Sequence, residues 1–407
     1  VLDKGMLDFN VISAHGCFET KLMPEYKGYD CFISLYAKRQ DKVVYMRQFE
    51  LPPTCEKVML KKEAFKALCN VDSDKVFVEG EDFKLKFENG VPVYYEKGKQ
   101  VFFDSPMMFV THRAETDNDG IVGLYPRWIE SWENSRLHKM NFYTINTDLE
   151  QTDTEILIKV KGLLTADHCY AGFKVELLYS IVNKGMFTVD MTIKPFGNMP
   201  ELGGHNPVNS PEEKISRLPR FGVCFKLDSS FECARWYGRG SGQNYADAVS
   251  ATPVGVYELP LNEIIYDFDM PQETGTRTDV RHLQVKRDGG NLNIYGNDRF
   301  SFSIHPWNLN NLRTARHPSE LMEDDCYYLY VDYKMRGLGS MSCGPEPEEE
   351  FDFVPHDFKF VFGINGEHDD MPQFFLNDLG EKTRKLTDKY IRPTVKEDRE
   401  ELECRQF

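Results

Sequence analysis

Between about residues 74 and 366 the chain repeats short segments in which apolar and polar residues alternate. A period of two is typical of a β-strand that buries one face, and few stretches between these segments show the 3.6-residue period of a helix. Strands that follow one another without intervening helices are usually antiparallel. We therefore predict a large antiparallel all-β domain and not a β-α-β fold. The segments with a strand pattern are 77–78, 83–87, 155–160, 173–179, 187–193, 221–227, 292–295, 300–304, 327–331 and 358–362.

Helical patterns are short and few in this region. We predict one helix at 127–138 and another at 309–317, which Pro318 should end because proline cannot continue helical hydrogen bonding. A shorter helical pattern at 61–68 leads into the main domain near Asp74.

The two ends of the chain differ from its central region. Residues 1–52 predict about three strands, at 6–11, 31–36 and 43–51, which is half of a β-sandwich at most. Near the C-terminus one helical stripe is formed by Leu376, Leu379, Leu386 and Tyr390. The last residues, 396–407, are highly charged and are predicted to be loosely structured.

Charge and cysteine usage narrow the class of protein. The net charge of −16 leaves no basic excess for a nucleic-acid backbone, so we expect no nucleic-acid partner. The ten cysteines are dispersed and none forms a Cys-x-x-Cys pair, which favours free thiols in a reducing compartment. The sequence contains no apolar run of about 18 residues and no signal-like first segment. These features predict a soluble cytoplasmic protein without a membrane partner.

Five segments rich in glycine, tryptophan and charged residues are the most specific feature of the sequence. They are Arg-Ala-Glu-Thr-Asp-Asn-Asp-Gly (113–120), Leu-Pro-Arg-Phe-Gly (218–222), Trp-Tyr-Gly-Arg-Gly (236–240), Pro-Gln-Glu-Thr-Gly (271–275) and Gly-Leu-Gly-Ser-Met-Ser-Cys-Gly-Pro (337–345). In this order and spacing they resemble the C-terminal domain, or small chain, of glycoside hydrolase family 2 β-galactosidases of the enteric lactase type.

The resemblance implies a fold and a domain organisation. The segment 74–366 would be the small-chain supersandwich, a galactose mutarotase-like fold. Residues 1–58 look like the final strands of a preceding immunoglobulin-like domain, followed by a linker at 59–73. The remaining residues, 367–407, would form a short, charged helical extension.

The resemblance also implies which residues line the substrate pocket. The loop at 337–345 would reach the leaving-group side of a galactoside bound to a separate barrel, with Cys343 where some relatives hold tryptophan. The pocket residues expected in this loop are Gly339, Ser342 and Cys343. A second loop is expected at the mouth of the active site from Gly120 onwards, preceded by Asp117, Asn118 and Asp119.

The acidic segment has two interpretations from its residues alone. Two carboxylates and one amide within three positions suit sugar hydroxyls or a hard cation, although the spacing is not that of an EF-hand. The same residues are equally typical of an Asx-rich turn. The glycines at 238–242 lack the spacing of a phosphate-binding loop and predict a turn. Relatives continue this segment with glutamate, proline and arginine where this chain has Gln243, Ala246 and Ala248, which would remove a charge pair.

Catalysis is expected to require a second portion of the enzyme. Retaining glycoside hydrolysis needs two carboxyls about 5 Å apart, and related enzymes carry both on a (β/α)8 barrel, for which this sequence shows no pattern. Asn262 and Glu263 match the Asn-Glu pair of such enzymes, but lie in a turn with no predicted strand before them. The chain alone is therefore expected to be inactive and without a cofactor, with Mg and Na bound only in the barrel portion.

Two other functions are compatible with the sequence. An aldose epimerase would use a glutamate base and a histidine acid, for which His205 and His305 are candidates. A carbohydrate-binding module would use Trp236, Trp307 and the acidic loop.

Overall fold

The computed structural model describes residues 26, 28, 30–39, 42–54, 62–72, 74–120, 128–197, 199, 201–202 and 215–367. The chain divides into two compact units. The first comprises Val1–Lys61, Pro253–Tyr257 and Met371–Phe407, and the second Lys62–Thr252 and Glu258–Asp370.

The described N-terminal residues form an antiparallel hairpin. Its strands are β1 (Cys31–Arg39) and β2 (Lys42–Leu51), with Cys31 opposite Leu51 and an irregularity at Ala37 and Lys38. The strands predicted at 31–36 and 43–51 are therefore confirmed. The strand predicted at 6–11 lies outside the described residues, so the immunoglobulin-like assignment stays a prediction.

The described residues after the hairpin contain nineteen further strands. They are β3 (Leu68–Asp72), β4 (Lys75–Glu79), β5 (Phe83–Glu88), β6 (Val91–Lys97), β7 (Gln100–Phe103), β8 (Met108–Val110), β9 (Asn141–Gln151), β10 (Ile156–Thr165), β11 (Ala171–Ile181), β12 (Phe187–Gly197), β13 (Glu201–Leu202), β14 (Ile215–Ser216), β15 (Arg220–Asp228), β16 (Cys233–Arg239), β17 (Val254–Pro260), β18 (Arg277–Arg287), β19 (Gly290–His305), β20 (Cys326–Met335) and β21 (Phe358–Glu367). The predicted antiparallel all-β domain is confirmed.

Most of these strands belong to one 12-stranded antiparallel sheet. Eight of them follow in the order β16-β18-β19-β21-β12-β11-β10-β9, while β15 pairs with β20 and β8, and β20 also pairs with β19. The twelfth strand is β17. A smaller sheet has the order β3-β4-β5-β6-β7, and β13 pairs with β14.

Aromatic side chains form the core between the two larger sheets. The ring of Tyr179 on β11 lies 4.9 Å from that of Phe87 on β5, and Phe187 on β12 lies 5.5 Å from Tyr95 on β6. The buried Tyr95 hydroxyl also accepts a hydrogen bond from the backbone N–H of Gly366 on β21 at 3.0 Å. The small sheet is thus packed on the large one as the second layer of a sandwich.

Two α-helices occur in the described residues, α1 (Trp128–Asn134) and α2 (Leu309–Thr314). Both fall inside predicted helices, and α2 ends three residues before its predicted end, with Asn308 capping its first turn. The helix predicted at 61–68 is wrong for its described residues, because 62–67 have no regular structure and Leu68 begins β3. Sheet structure therefore starts inside the predicted linker. The C-terminal helix lies outside the described residues.

None of the helices in the described ranges has the length and apolar character needed to span a membrane.

Candidate functional site

The segments 113–120 and 337–345, about 220 positions apart in the chain, meet through the side chain of Asn118. Its amide Nδ2 donates to the carbonyl oxygen of Gly339 at 2.8 Å. Its Oδ1 accepts from the backbone N–H of Ser342 at 3.1 Å and from the Ser342 hydroxyl at 2.9 Å. The structure thus brings together two segments that the resemblance separately implies to lie at a substrate pocket, while the loop expected after Gly120 lies outside the described residues.

Asp119 is a buried member of an ion pair. Its carboxylate accepts from Nε and Nη2 of Arg113 at 3.1 and 2.6 Å, and both side chains have no exposed surface. It also accepts from the backbone N–H and hydroxyl of Thr116 at 3.0 and 3.1 Å, which closes the turn. Asp119 therefore serves the turn and the arginine, whereas Asp117 is exposed and Gly120 ends the turn at a φ of 108°.

Arg113 connects this turn to the start of the 337–345 loop. Its Nη1 donates to the carbonyl oxygen of Arg336 at 2.5 Å, and its Nη2 lies 3.4 Å from that of Gly337. Arg336 in turn donates to Asp352 and Glu346 at 2.7 Å each, so it joins both ends of the loop. The two guanidinium groups lie over the rings of two tryptophans of α1, Arg113 over Trp132 and Arg336 over Trp128.

Asp247 holds the first residues of the 337–345 loop. Its carboxylate accepts from the backbone N–H of Leu338 at 3.0 Å and of Gly339 at 2.6 Å. Hydrogen bonds to a charged acceptor are the stronger kind, and Gly339 adopts a φ of 64° that favours glycine. Sequence reasoning did not single out Asp247. The available signal was its place among Gln243, Ala246 and Ala248, the positions at which this chain departs from the resembled relatives.

The tip of the 337–345 loop is exposed. Ser342, Cys343 and Gly344 are all accessible to solvent, and the Cys343 thiol is free. The tip is closed on itself because the N–H groups of Cys343 and Gly344 donate to the Ser340 carbonyl at 3.1 and 2.6 Å. Ser342 and Cys343, two of the three pocket residues expected in this loop, are thus presented outwards, whereas Gly339 is half-buried in the fixed base.

A second buried ion pair joins the segments 218–222 and 271–275. Arg220 on β15 donates Nε and Nη2 to the carboxylate of Asp332 on β20, at 2.7 Å each, and Glu273 lies 3.7 Å from its Nη1. Burial alone would lower the pKa of Arg220, but the two carboxylates outweigh it and raise that pKa. Burial raises the pKa of Glu273 despite Arg220 and Arg113.

Gly222 makes room for this pair. It lies opposite Asp332 in the register of β15 and β20, and a Cβ atom at position 222 would come within 2.2 Å of the Asp332 Oδ1. Glu273 completes the connection to the first segment, because its backbone N–H donates to the Ala114 carbonyl at 3.2 Å.

Gln243, one of the residues expected to remove a charge pair, makes neutral hydrogen bonds instead. Its Oε1 accepts from the backbone N–H of Gly275 at 2.9 Å and lies 3.4 Å from the Thr274 hydroxyl. Arg277, which is fully buried, donates to the carbonyl oxygens of Ser241 and Gly275 at 2.9 and 3.0 Å. Burial lowers its pKa to about 10, and its Nη2 has no hydrogen-bond partner among the described residues.

The residues named for other functions are placed inside the protein. His305 is fully buried, its Nε2 lies 2.9 Å from the Thr274 carbonyl, and burial lowers its pKa to about 4. Trp236 is also fully buried and donates to the Arg239 carbonyl at 2.8 Å, and Trp307 is 6% exposed. Neither tryptophan therefore offers an open stacking surface. His205 lies outside the described residues.

The Asn262–Glu263 pair does follow a strand, contrary to the sequence-based expectation, since β17 ends at Pro260. It forms a 3-10 turn in which Glu263 is exposed. In the described part of the chain, no three His, Cys, Asp or Glu side chains gather in a way that could hold a metal ion.

Comparison with known proteins places these segments in a family. The family model described as "Beta galactosidase small chain" matches residues 79–364. The β-galactosidase of Actinobacillus pleuropneumoniae is 26% identical over 282 residues, which cover 69% of this chain and 26% of that protein. The enzyme of Kluyveromyces lactis is 28% identical over 277 residues, covering 66% and 24%. The chain thus spans about a quarter of the length of these relatives.

One solved structure that matches part of this chain is a galactose mutarotase related enzyme from Lactobacillus acidophilus. The match covers 72% of this chain and 97% of the other chain, with a TM-score of 0.37 and 9% sequence identity. The family match is the decisive comparison, because it extends over most of the chain and includes all five segments described above. This chain belongs to the β-galactosidase small-chain family.

Proposed function

We propose that this chain is the non-catalytic C-terminal portion of a β-galactosidase and completes the galactoside pocket of a separate (β/α)8 barrel. The observation that carries the proposal is the 337–345 loop. It presents Ser342 and Cys343 to solvent. The side chains of Arg113 and Asp247 hold its base, and that of Asn118 connects Gly339 to the tip. A loop of this kind suits insertion into a partner, since little conformational entropy remains to be lost on docking.

The chemical step is assigned to the partner portion. In retaining hydrolysis one carboxyl attacks the anomeric carbon and the other protonates the leaving group. This chain would instead contact the leaving group, where the small, weakly polar Cys343 thiol leaves room for an aglycone. We expect Mg and Na to bind in the barrel portion only, and the assembled enzyme to act in the cytoplasm on terminal β-galactosides such as lactose.

The experiment that tests the proposal is hydrolysis of nitrophenyl-β-galactoside by the chain, alone and after mixing with a separately expressed barrel-containing portion. We expect activity in the mixture and none from the chain alone. Activity from the chain alone would show that it holds its own pair of catalytic carboxyls and would overturn the proposal.

The position of the loop is tested by enlarging its tip. Cys343→Trp in the active mixture should change the ratio of kcat/KM between two galactosides that differ in leaving group, and leave inhibition by free galactose unchanged. Met322→Trp is the matched control, because Met322 is also an exposed sulfur-containing residue, on a different loop. Equal leaving-group ratios for Cys343→Trp and the parent would place the tip away from the pocket.

A further inference from the structure

We propose that Asn118 is a positioning residue. It would set the conformation of the 337–345 loop within this chain, before any partner or sugar binds. In this assignment its amide is occupied by the loop and is not free to contact a sugar hydroxyl. The proposed effect on leaving-group preference, developed below, rests on the function proposed above.

The Asn118 side chain is both a donor and an acceptor towards the loop. Asn118 donates to the carbonyl oxygen of Gly339, near the start of the loop, and accepts from Ser342 at its tip. A carboxamide is suited to this double role because it carries a donor and an acceptor on one rigid plane. An aspartate would keep the acceptor but would place a negative charge against the Gly339 carbonyl oxygen.

Asn118 is itself held in place by its neighbours in the turn. It lies in the middle of the 3-10 turn Asp117–Asp119, between the exposed Asp117 and the buried Asp119. The ion pair of Asp119 with Arg113 fixes the residue that follows Asn118, and Gly120 donates its backbone N–H to the Asp117 carbonyl at 3.1 Å. The Asn118 side chain is therefore presented from a rigid turn, as preorganisation of a site requires.

The other side chains that anchor the loop, those of Asp247 and Arg113, hold different parts of it. Asp247 binds the N–H groups of Leu338 and Gly339, and Arg113 binds the carbonyl groups of Arg336 and Gly337. Among the described residues, the hydrogen bonds to the tip residue Ser342 from outside the loop are those of Asn118. Loss of Asn118 should consequently free the tip and leave the base in place.

Hydrogen exchange of the whole chain tests this division. In Asn118→Ala the backbone N–H of Ser342 should exchange about tenfold faster, because it loses its acceptor. The N–H groups of Leu338 and Gly339 should keep their rates within about threefold, since Asp247 still binds them. In Asn118→Asp the protection of Ser342 should be largely retained.

The matched control is Asn146→Ala, which removes an exposed asparagine whose side chain contacts Asp148 on the same strand. It should leave exchange in the loop unchanged. An unchanged rate at Ser342 in Asn118→Ala, with the same urea midpoint as the parent, would overturn the proposal. An equal acceleration at Ser342, Leu338 and Gly339 would also overturn it, because the loop would then open as a single unit.

A second measurement separates this inference from the proposed function. In the active mixture, Asn118→Ala should change the ratio of kcat/KM between two leaving groups at least about threefold, with inhibition by galactose unchanged. Faster exchange at Ser342 together with an unchanged ratio would support the positioning role and count against the proposed place of the loop in the pocket. Unchanged exchange with a changed ratio would instead assign Asn118 a direct contact with the ligand and overturn the positioning role.

Discussion

The strands of the large sheet are buried in two different ways. On β10 and β11 buried residues mostly alternate with more exposed ones, so each strand contributes one face to the core. On β15 and β20, and over most of β19, residues of both faces are buried. One face of β15 meets Phe103 and Phe173 through its Phe225 and Phe221, while the other contains Cys224, which joins a cluster with α2.

The difference decides what an ion pair contributes. On the one-sided strands, Lys159 and Glu150 form a pair at 2.7 Å, with both side chains about half exposed. On the two-sided strands, Arg220 and Asp332 form a pair at the same distance with no exposed surface. Water competes with the first pair and is excluded from the second, so similar geometries carry very different costs of disruption.

The largest effect is expected from breaking the buried pair. Asp332→Asn leaves the Arg220 guanidinium without its bidentate carboxylate and should lower the free energy of unfolding by about 3–5 kcal/mol. Urea denaturation measures this change. The control is Glu150→Gln, which removes the negative charge of the exposed pair and should cost less than about 1 kcal/mol. Similar losses for both variants would show that burial does not separate the two kinds of strand.

The next largest effect is expected from acidification, which should lower the free energy of unfolding through the buried histidines. Burial lowers the pKa of His305 and of His282 to about 4, and the unfolded chain titrates near 6.5. Between these values the unfolded state binds more protons, so stability is complete above pH 6.5 and is lost as the pH falls towards 4. Each histidine contributes a slope of up to about 1.4 kcal/mol per pH unit.

His305→Gln should remove one such contribution from the slope of unfolding free energy against pH, measured by urea denaturation. His317→Gln controls for the substitution itself, because His317 is exposed and the variant should change the free energy of unfolding by less than about 0.5 kcal/mol. If the His305→Gln variant kept the same slope of unfolding free energy against pH as the parent, this histidine would not be responsible for the acid sensitivity.

A smaller, stabilising effect is expected from a substitution at Gln243, where the resemblance implies glutamate in relatives. Gln243→Glu would place a negative charge beside the segment that Arg277 contacts, and should raise the free energy of unfolding by about 1 kcal/mol. Gln151→Glu on the exposed strand β9 is the control and should change it by less than about 0.5 kcal/mol. A loss of stability in the Gln243 variant would show that burying the new carboxylate costs more than its attraction to Arg277 returns.

The smallest effect is expected from a second exposed ion pair, in which the Lys359 Nζ lies 2.6 Å from the Asp190 Oδ2. Lys359→Met should cost less than about 0.5 kcal/mol at low salt, and nothing measurable in about 1 M NaCl, where charges are screened within about 3 Å. Urea denaturation of Asp332→Asn at both salt concentrations supplies the contrast, because its loss should persist. A salt-dependent loss there would indicate that water reaches the Arg220 pair.

The same division explains which parts of the fold the sequence predicts. Alternation marks β10, β11 and β12, whose less buried face is mostly polar. It is weaker where both faces are buried, and the residues 292–295 and 300–304, predicted as separate strands, lie in the single strand β19. The helix predicted at 61–68 shows the limit of short periodic patterns, because sheet pairing with β4 determines the structure from Leu68 onwards.

The candidate site was predictable as segments but not as contacts. The resemblance of the 113–120 and 337–345 segments to a family indicated that they act together. It could not indicate that Asn118 binds the loop while Asp119 binds Arg113, because adjacent residues of a turn point in different directions. Asp247 and Asp332 were not predicted because their partners lie roughly 90 to 110 positions away in the chain.

The four tryptophans give the molecule a built-in optical probe of one region. All four are at least nine-tenths buried, and Trp128 and Trp132 lie beneath the two arginines that hold the 337–345 loop. The strands β9 to β12 contain none. Intrinsic fluorescence therefore reports on the neighbourhood of the family segments, whereas circular dichroism averages over every strand. If the two signals change at the same urea concentration, the two parts of the sheet unfold as one cooperative unit; if fluorescence changes first, the family segments form the weaker part of the domain.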